Sequence, residues 1–418
     1  MTSSQVKFLQ KSLHILLIHQ AFVDLGEAGG TRHAEFARHL ASRGQRVTVI
    51  ASSVSYLTGK ERGAVQEEAA QVPGVRVLRA ATYRGLHRSF VHRLLSFFTF
   101  TLSSFFIGLS VKDVDLVWGT TPPIFQALTA WLLARLKRVP FLLEVRDLWP
   151  AFAVEVGVLR NPALIRASEW LESFLYRHAD QLVVNSPGFV DHVQARGGRQ
   201  IAVVPNGADA AMFDPQANGA EFRKQYGLPA DAFVVVYAGA HGLSNDLGVV
   251  LQAAELVKAE EKILIMLVGD GKDKPALQAQ AADLKLDNVR FVPPLPKTQM
   301  SEALAAADAC LAILKPIQLY ATVYPNKVFD YMAAGRPVLL AIDGVMRKVV
   351  EDGGAGVFVP PGDPQALAQA MTQLAGDPAK ARALGRAGRA TLQAHFDRTQ
   401  LAKQMLRVIQ ETAGGKQA

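Results

Sequence analysis

Leu13-His14-Ile15-Leu16-Leu17-Ile18 is an almost unbroken apolar run, and together with the loop and helix after it this run decides the fold. A run of this kind suits a strand buried on both faces rather than one with a wet side. A loop ending in Gly29-Gly30 comes next. Then comes a helix with Phe36, Ala37, Leu40 and Ala41 on one side, closed by Gly44. Arg46-Val-Thr-Val-Ile50 supplies the second strand. Strand, helix and strand make a βαβ unit, and repeated units of this kind build a parallel sheet. Further along, 115–118, 140–145 and 181–184 read as strands of the same half, the last of them closing it.

A second cycle starts after Gly207. Phe233-Val-Val-Val-Tyr-Ala-Gly239 is a strand running into a glycine loop, with a helix over 247–257 after it. Ile263-Leu-Ile-Met-Leu-Val268 is a strand ending in Gly269-Asp-Gly271, and further strands are expected at 289–292, 309–314 and 338–341. The fold class is therefore α/β, with two doubly wound Rossmann-like domains facing across a cleft. The linker falls in 203–215, rich in Pro, Asn, Gly and Asp. The expected division is 1–203, 204–390, and a C-terminal helix over 391–418 whose return to the first domain is left open. In open parallel sheets ligands sit at the carboxyl ends of strands. The loops after Ile18, Val145, Ala238, Val268 and Leu314 should then line the cleft.

Composition bounds the function. A chain of 418 residues, half of them hydrophobic, is long enough for two or three domains and is not a disordered protein. The single Cys310 excludes a disulfide framework and a thiolate zinc site, and it suits a reducing cytoplasm. A net charge of +8 fits nucleic acid, anionic lipid or phosphate-bearing ligands without choosing among them. No RNA-recognition signature or basic run supports nucleic acid. The start, polar over 1–12 with only Lys7 and Lys11 charged, does not read as a signal peptide.

The segment 94–111 carries no charge and comes just after the basic residues Arg79, Arg84, Arg88 and Arg93. Leu95, Phe98, Leu102, Phe105 and Leu109 share one helical face, and Ser96, Thr99, Ser103 and Ser110 another. Two readings stand level: an ordinary domain helix with a solvated Ser/Thr face, or a helix that seats the domain on a membrane with the arginines against anionic lipid. A true span ranks below both, because the segment lies inside the first domain.

Several residues are candidates for chemistry. Gly29 and Gly30, lacking Cβ atoms, let backbone approach a phosphate at a helix start. They do not form the full dinucleotide fingerprint, so a nicotinamide or flavin cofactor is not expected. Gly269 and Gly271 come after a buried strand and can hold a base or phosphate, although a plain turn explains them equally. In 325–338, Asn326 can cap a helix, Lys327 can neutralise a phosphate, and Asp330, one turn on, can accept bonds from ribose hydroxyls. Glu144, Arg146 and Asp147 crowd one strand end, where a local ion pair is the plainer account. Asp113 and Asp115 lie at the wrong end of their strand for a metal site. The histidines show no metal-ligand spacing.

In order along the chain these segments resemble the family 4 retaining glycosyltransferases of GT-B fold. The resemblance spans 13–395. It rests on Gly29-Gly-Thr-Arg32, Glu144-Val-Arg-Asp-Leu-Trp-Pro150, Val204-Pro-Asn-Gly207, Tyr237-Ala-Gly-Ala-His-Gly242, Leu267-Val-Gly-Asp-Gly271 and the run from Pro325 to Pro337. The Arg-Asp-Leu-Trp-Pro and Ala-Gly-Ala-His-Gly segments are similar to a bacterial O-antigen and capsule subgroup that includes N-acetyl-fucosamine transferases. The resemblance implies a UDP- or GDP-type sugar donor held mainly by the C-terminal domain, retention at the anomeric carbon, and no metal or other cofactor. It places Asp330 on the ribose, Gly30 near the diphosphate and acceptor, and Arg146 where many members carry a catalytic-site His. Gly29, His241, Gly242, Gly269, Gly271, Asn326 and Lys327 complete the donor set, and Glu144 and Asp147 join Arg146 as catalytic candidates. Two departures stand out. Thr322 occupies the place of the family's first motif glutamate, and Ala240 and Asn245 fall where diphosphate-binding Arg and Lys are usual. Lys327 is the first candidate to replace that charge, with Lys315 and Lys272 as alternates. The implied acceptor is a lipid-linked saccharide, and the implied location is cytoplasmic, peripheral on the inner face of the membrane. A sugar-nucleotide epimerase and a non-catalytic nucleotide-sugar-binding scaffold are the competing readings.

Overall fold

The computed structural model describes residues 12–415 apart from 28, 56–58, 60, 62–72, 86–88 and 261. Lys7, Lys11 and Arg88 lie outside the described residues. The first sheet has seven parallel strands: β1 (His14–Ile18), β2 (Arg46–Ser52), β3 (Val75–Ala80), β4 (Leu116–Thr121), β5 (Phe141–Val145), β6 (Gln181–Val184) and β7 (Ile201–Val203). Their order across the sheet is β3-β2-β1-β4-β5-β6-β7. The second has six: β8 (Phe233–Ala238), β9 (Ile263–Val268), β10 (Val289–Val292), β11 (Ala309–Ile313), β12 (Val338–Ala341) and β13 (Gly356–Phe358), ordered β10-β9-β8-β11-β12-β13. Each is doubly wound, and together they make the GT-B arrangement. The strand order reverses between β1 and β4 and again between β8 and β11, which opens a crevice at each reversal.

The apolar run at 13–18 sits at the centre of the first sheet. Ile15 pairs with Val47 on one side and Leu116 on the other, and all five residues of β1 are buried. Three strands go beyond those expected from sequence. β6 does not close its half, because β7 pairs beyond it, and β3 and β13 form outer edges. Edge strands need no continuous apolar run: β7 and β13 have three residues each, and β3 interrupts its apolar residues with Arg76 and Arg79.

The chain's last helix, Arg398–Gly414, crosses to the first half. Its Leu401, Met405 and Ile409 join Leu13, Ile15 and Phe36 in one core cluster. Burying side chains of this size contributes on the order of 2 kcal/mol each. The preceding helices, Pro364–Gly376 and Pro378–His395, pack on the second half.

The helix Phe90–Ser110 reverses the expected polarity. Ser96, Phe100, Ser104 and Gly108 are the buried positions, with Ser96 and Ser104 1% and 0% exposed, while Phe98 and Phe106 stand 58% and 66% exposed. Val91, Leu95, Leu102 and Leu109 complete the outward apolar stripe. The solvated Ser/Thr face is therefore corrected. The small hydroxyl residues let the helix sit close to the domain: Ser103 Oγ donates to Ala81 O at 2.6 Å, and Gly108 leaves room for Leu133. Among the described residues, Val91–Ser110 is long and apolar enough to cross a membrane by length and composition.

Candidate functional site

A cavity of about 740 Å³ lies between the two halves. Gly29, Gly30, Arg146 and Asp147 line it from the first half, and Asn245, Asn326 and Lys327 from the second. The halves touch around it. The rings of Phe152 and Tyr320 stack with centroids 5.3 Å apart and planes at 19°. Ser186 Oγ donates to Thr322 O at 2.5 Å and Asn206 Nδ2 to Tyr324 O at 2.7 Å, and within the second half Tyr320 Oη donates to Ser244 Oγ at 2.5 Å. Thr322 thus supplies a backbone oxygen to the domain contact, where the resemblance has a glutamate. At Gly188 an added Cβ would lie 2.5 Å from that same oxygen, so the close approach needs glycine.

Lys327 is the cation of the second half. The helix Asn326–Ala333 begins at the carboxyl end of the sheet and aims the side chain across Gly239, where an added Cβ would come within 2.7 Å of Nζ. Nζ donates to Tyr237 Oη at 2.8 Å and to Asn245 Oδ1 at 3.3 Å, and it lies 4.0 Å from the Tyr237 ring centroid. Among the described residues no carboxylate forms an ion pair with it. Burial pulls its amine down to about 7. Asn245 stands where the resemblance expects a basic residue, and here it orients the lysine instead. Asn326 is the first residue of its helix and makes no cap bond, a correction to the capping role. Its Oδ1 has no partner, and neither has that of Asn185 across the cavity, so both can receive a ligand's hydroxyl.

On the first half, Arg146 comes directly after β5 and is half-buried, with Nη1 at 3.4 Å from His19 Nδ1. Burial lifts the Asp147 carboxyl to about 6 against the opposing charge of Arg146. A carboxylate of this kind, at the cavity wall and near its protonation point, suits hydrogen bonding to a hydroxyl that must lose a proton.

Other candidates stand outside the cavity lining. Glu144 is 0% exposed and saturated: Oε1 accepts from Arg32 Nε at 2.8 Å, and Oε2 bonds His33 Nε2 at 2.8 Å and accepts from Trp118 Nε1 at 3.1 Å. Burial by itself would raise this carboxyl, but the charges of Arg32 and His33 outweigh it and hold it far below the usual carboxylate range. It cannot meet a substrate, which corrects its catalytic assignment to a supporting one. Asp330 is engaged by Lys297 Nζ at 2.5 Å, and burial pushes its carboxyl up. A ribose would have to share or displace that lysine.

The loop after Val268 does not line the cavity. Gly269 packs on the Gly239 backbone and Gly271 on that of His241, while His241 N donates to Asp270 O at 2.9 Å. These glycines lack Cβ atoms so that two loops can interlock. His241 lies beneath them, fully buried, with neither ring nitrogen partnered. Gly242 turns the chain toward Ser244 and Asn245. Of the alternate lysines, Lys272 is exposed on this interlocked loop and Lys315 continues from β11, and neither lines the cavity.

Sequence reasoning missed Tyr237, which orients Lys327, and Arg32, which Glu144 holds. It also missed the aromatic contact of Phe152 with Tyr320, because residues distant in sequence meet only in the fold.

Residues 28–207 match the family described as glycosyl transferase 4-like domain, and 232–377 match glycosyl transferases group 1; together these cover most of the chain. The chain is 28% identical over 397 residues to a D-inositol 3-phosphate glycosyltransferase of Streptomyces avermitilis, covering 90% of this chain and 81% of that one. Its fold is similar to a sucrose-phosphate synthase of Thermosynechococcus elongatus, with TM-score 0.76 at 22% identity, over 96% of this chain and 100% of that one. It is also similar to HepE of Anabaena in complex with UDP-glucose, with TM-score 0.72 at 18% identity, over 95% and 99% of the two chains.

Proposed function

This chain is a glycosyltransferase of GT-B fold, belonging with the group 1 and 4-like families, and from that premise we propose that it moves a sugar from a nucleotide-diphosphate donor to a lipid-linked saccharide with retention at the anomeric carbon. One observation carries the reading. A single cavity joins the unpaired cation Lys327 of one half to Arg146 and Asp147 of the other, and it runs out to Arg93, Leu94 and Phe97 on the apolar helix. Donor, reacting centre and amphiphilic acceptor each find a matching wall. The UDP-glucose complex of HepE supports a uridine donor. The resemblance to O-antigen and capsule transferases supports a role in bacterial surface polysaccharide.

Lys327 and neighbouring backbone amides hold the diphosphate and stabilise charge as it leaves. No metal is needed in this reading. The acceptor hydroxyl attacks from the side on which the diphosphate departs, and the leaving phosphate oxygen takes its proton. Asp147 and Arg146 orient the acceptor. Closure of the halves expels water that would otherwise hydrolyse the donor.

The test is thermal-shift binding of UDP-, GDP-, dTDP- and CMP-sugars to wild type and Asp330→Ala. One nucleotide should stabilise the wild type selectively, and the variant should lose most of that shift. An equal shift in the variant would remove Asp330 from the ribose site. No shift with any nucleotide would remove the donor reading itself.

The outward apolar stripe supports a peripheral seat on an anionic cytoplasmic membrane. A contiguous exposed apolar face marks an interaction surface, and Arg93 in the helix and Lys112 just after it are exposed. Wild type is expected to cosediment with phosphatidylglycerol vesicles at low salt. Phe98→Glu combined with Phe106→Glu should weaken that binding at least about ten-fold. Equal binding by the double variant would exclude this face as the seat.

A further inference from the structure

The halves are joined by two chain crossings, and two buried arginines, one of them in the second crossing, hold the first. The first crossing runs over 203–208 and the second over 396–398. They pair as a short parallel ribbon: Ala208 N donates to Phe396 O at 3.2 Å, and Arg398 N to Ala208 O at 2.9 Å. Side chains of the first half capture the carbonyls of the first crossing. Gln404 Nε2 takes Val203 O at 2.8 Å, Arg32 Nη2 takes Val204 O at 2.7 Å and Arg32 Nη1 takes Pro205 O at 2.6 Å. Arg398 Nη2 takes Gly207 O.

Each guanidinium is itself fixed by a carboxylate. Arg32 Nε is held by Glu144, and Arg398 Nε donates to Glu35 Oε2 at 2.6 Å. Thr31 Oγ1 donates to the other Glu35 oxygen at 2.5 Å. Both guanidiniums lie over the Phe36 ring, 4.5 and 5.3 Å from its centroid. Connecting segments usually run through solvent, where water meets their carbonyls. Here a balanced set of two cations and two anions, all buried, does so instead. Charges held this way are geometrically demanding, since a lost partner leaves the other buried and unpaired.

The location is informative. Thr31, Arg32 and Glu35 form the first turn after Gly29-Gly30, which lines the cavity. From the second half, Lys297 and Asp330 act electrostatically on Glu35 and Arg398. The cluster thus adjoins the glycine loop at the cavity, bonds the first crossing and is coupled electrostatically to Asp330. We propose that Arg32 and Arg398 are positioning residues that set the angle between the halves, and with it the separation across the cavity of Lys327 from Arg146 and Asp147. The activity readout rests on the transferase reading; the distance readout does not.

The experiment uses the full chain with Arg32→Lys and Arg398→Lys. Lysine keeps the charge but not the planar fork that holds a carboxylate and carbonyls at once. Nitroxides on Arg43→Cys and Gln252→Cys, both exposed, report the distance between halves, and Cys310 is buried out of reach of the label. The expected result is a broadened or shifted distance distribution and amide exchange over 203–208 at least about ten-fold faster. UDP-glucose affinity should stay within about two-fold, while kcat falls at least about ten-fold at unchanged donor KM. Variants that melt like wild type, with its distance distribution and linker exchange, would overturn the proposal. Should Arg32→Lys fail to fold, Arg398→Lys and Gln404→Ala carry the same test. If UDP-glucose binds neither wild type nor variant, the uridine-donor reading falls and the distances still decide the clamp.

Discussion

Lys327→Ala is expected to lower kcat/KM by about 100-fold or more, the loss typical when one preorganised stabiliser of a leaving group is removed. The reasoning is electrostatic. Lys327 is the cation of the second half that lines the cavity, and its bonded partners, Tyr237 and Asn245, are neutral. Such a site has its positive charge unspent until an anion arrives. The same feature predicts a pH dependence. Burial lowers the free amine to about 7, so in the empty protein about half of it is neutral at that pH. A bound diphosphate favours the ammonium and raises its pKa. Affinity for UDP-glucose should therefore be greatest below pH 7 and fall by up to about ten-fold per pH unit above it. Lys327→Met should bind weakly with no such slope. Titration calorimetry from about pH 6 to 8.5 checks both, because the donor's own diphosphate stays ionised throughout. A flat wild-type profile, or full activity in Lys327→Ala, would take the lysine out of the mechanism.

The fold is legible in the sequence because its central strands are buried on both faces. β1, β8 and β9 carry no polar alternation that might suggest another architecture. The short edges β7 and β13 are not legible, because three residues carry no periodicity. The candidate site is legible in part. Gly29, Gly30, Arg146, Asp147, Asn326 and Lys327 come together in one cavity, since loops at strand ends must converge there. Glu144 misleads for a physical reason. A charged residue in an apolar strand looks catalytic, yet its register places it between Arg32, His33 and Trp118 beneath the cavity. The glycines after Val268 look like ligand contacts in the sequence, although loop interlocking alone accounts for them.

The apolar helix shows the limit of periodicity most plainly. Its spacing determines which residues share a face and says nothing of which face turns inward. A domain helix usually buries its apolar stripe. Here Ser96 and Ser104 go inside because close packing against the domain rewards small side chains, as at Gly108 against Leu133. That choice leaves six large apolar residues outside, the stripe on which the proposed membrane seat rests.

Glu144→Ala is expected to be the most destabilising single change, costing about 3–5 kcal/mol. The magnitude comes from the groups that would be left behind. Arg32 is 3% exposed, and although it would keep its bonds to Val204 O and Pro205 O, those neutral carbonyls do not cancel its charge. Trp118 Nε1 and His33 Nε2 would lose their acceptor in the same step. In a chain of this size such a loss lowers Tm by about 3–6 °C. The measurement belongs near pH 7.5. The depressed carboxyl of Glu144 is ionised there, so its stabilising contribution is fully present; it declines as pH falls below the unfolded value of 4.5 and is gone once pH has passed through the very low folded-state pKa. His33, lowered to about 4 by burial, is neutral there and adds no charge of its own. Glu144→Gln should cost less, since an amide oxygen can still accept one bond. Glu144→Leu combined with Arg32→Met should recover part of the loss, because removing both charges leaves neither buried alone. A melting point for Glu144→Ala within about 2 °C of wild type would mean that water reaches Arg32 and that the cluster is not a sealed ion pair.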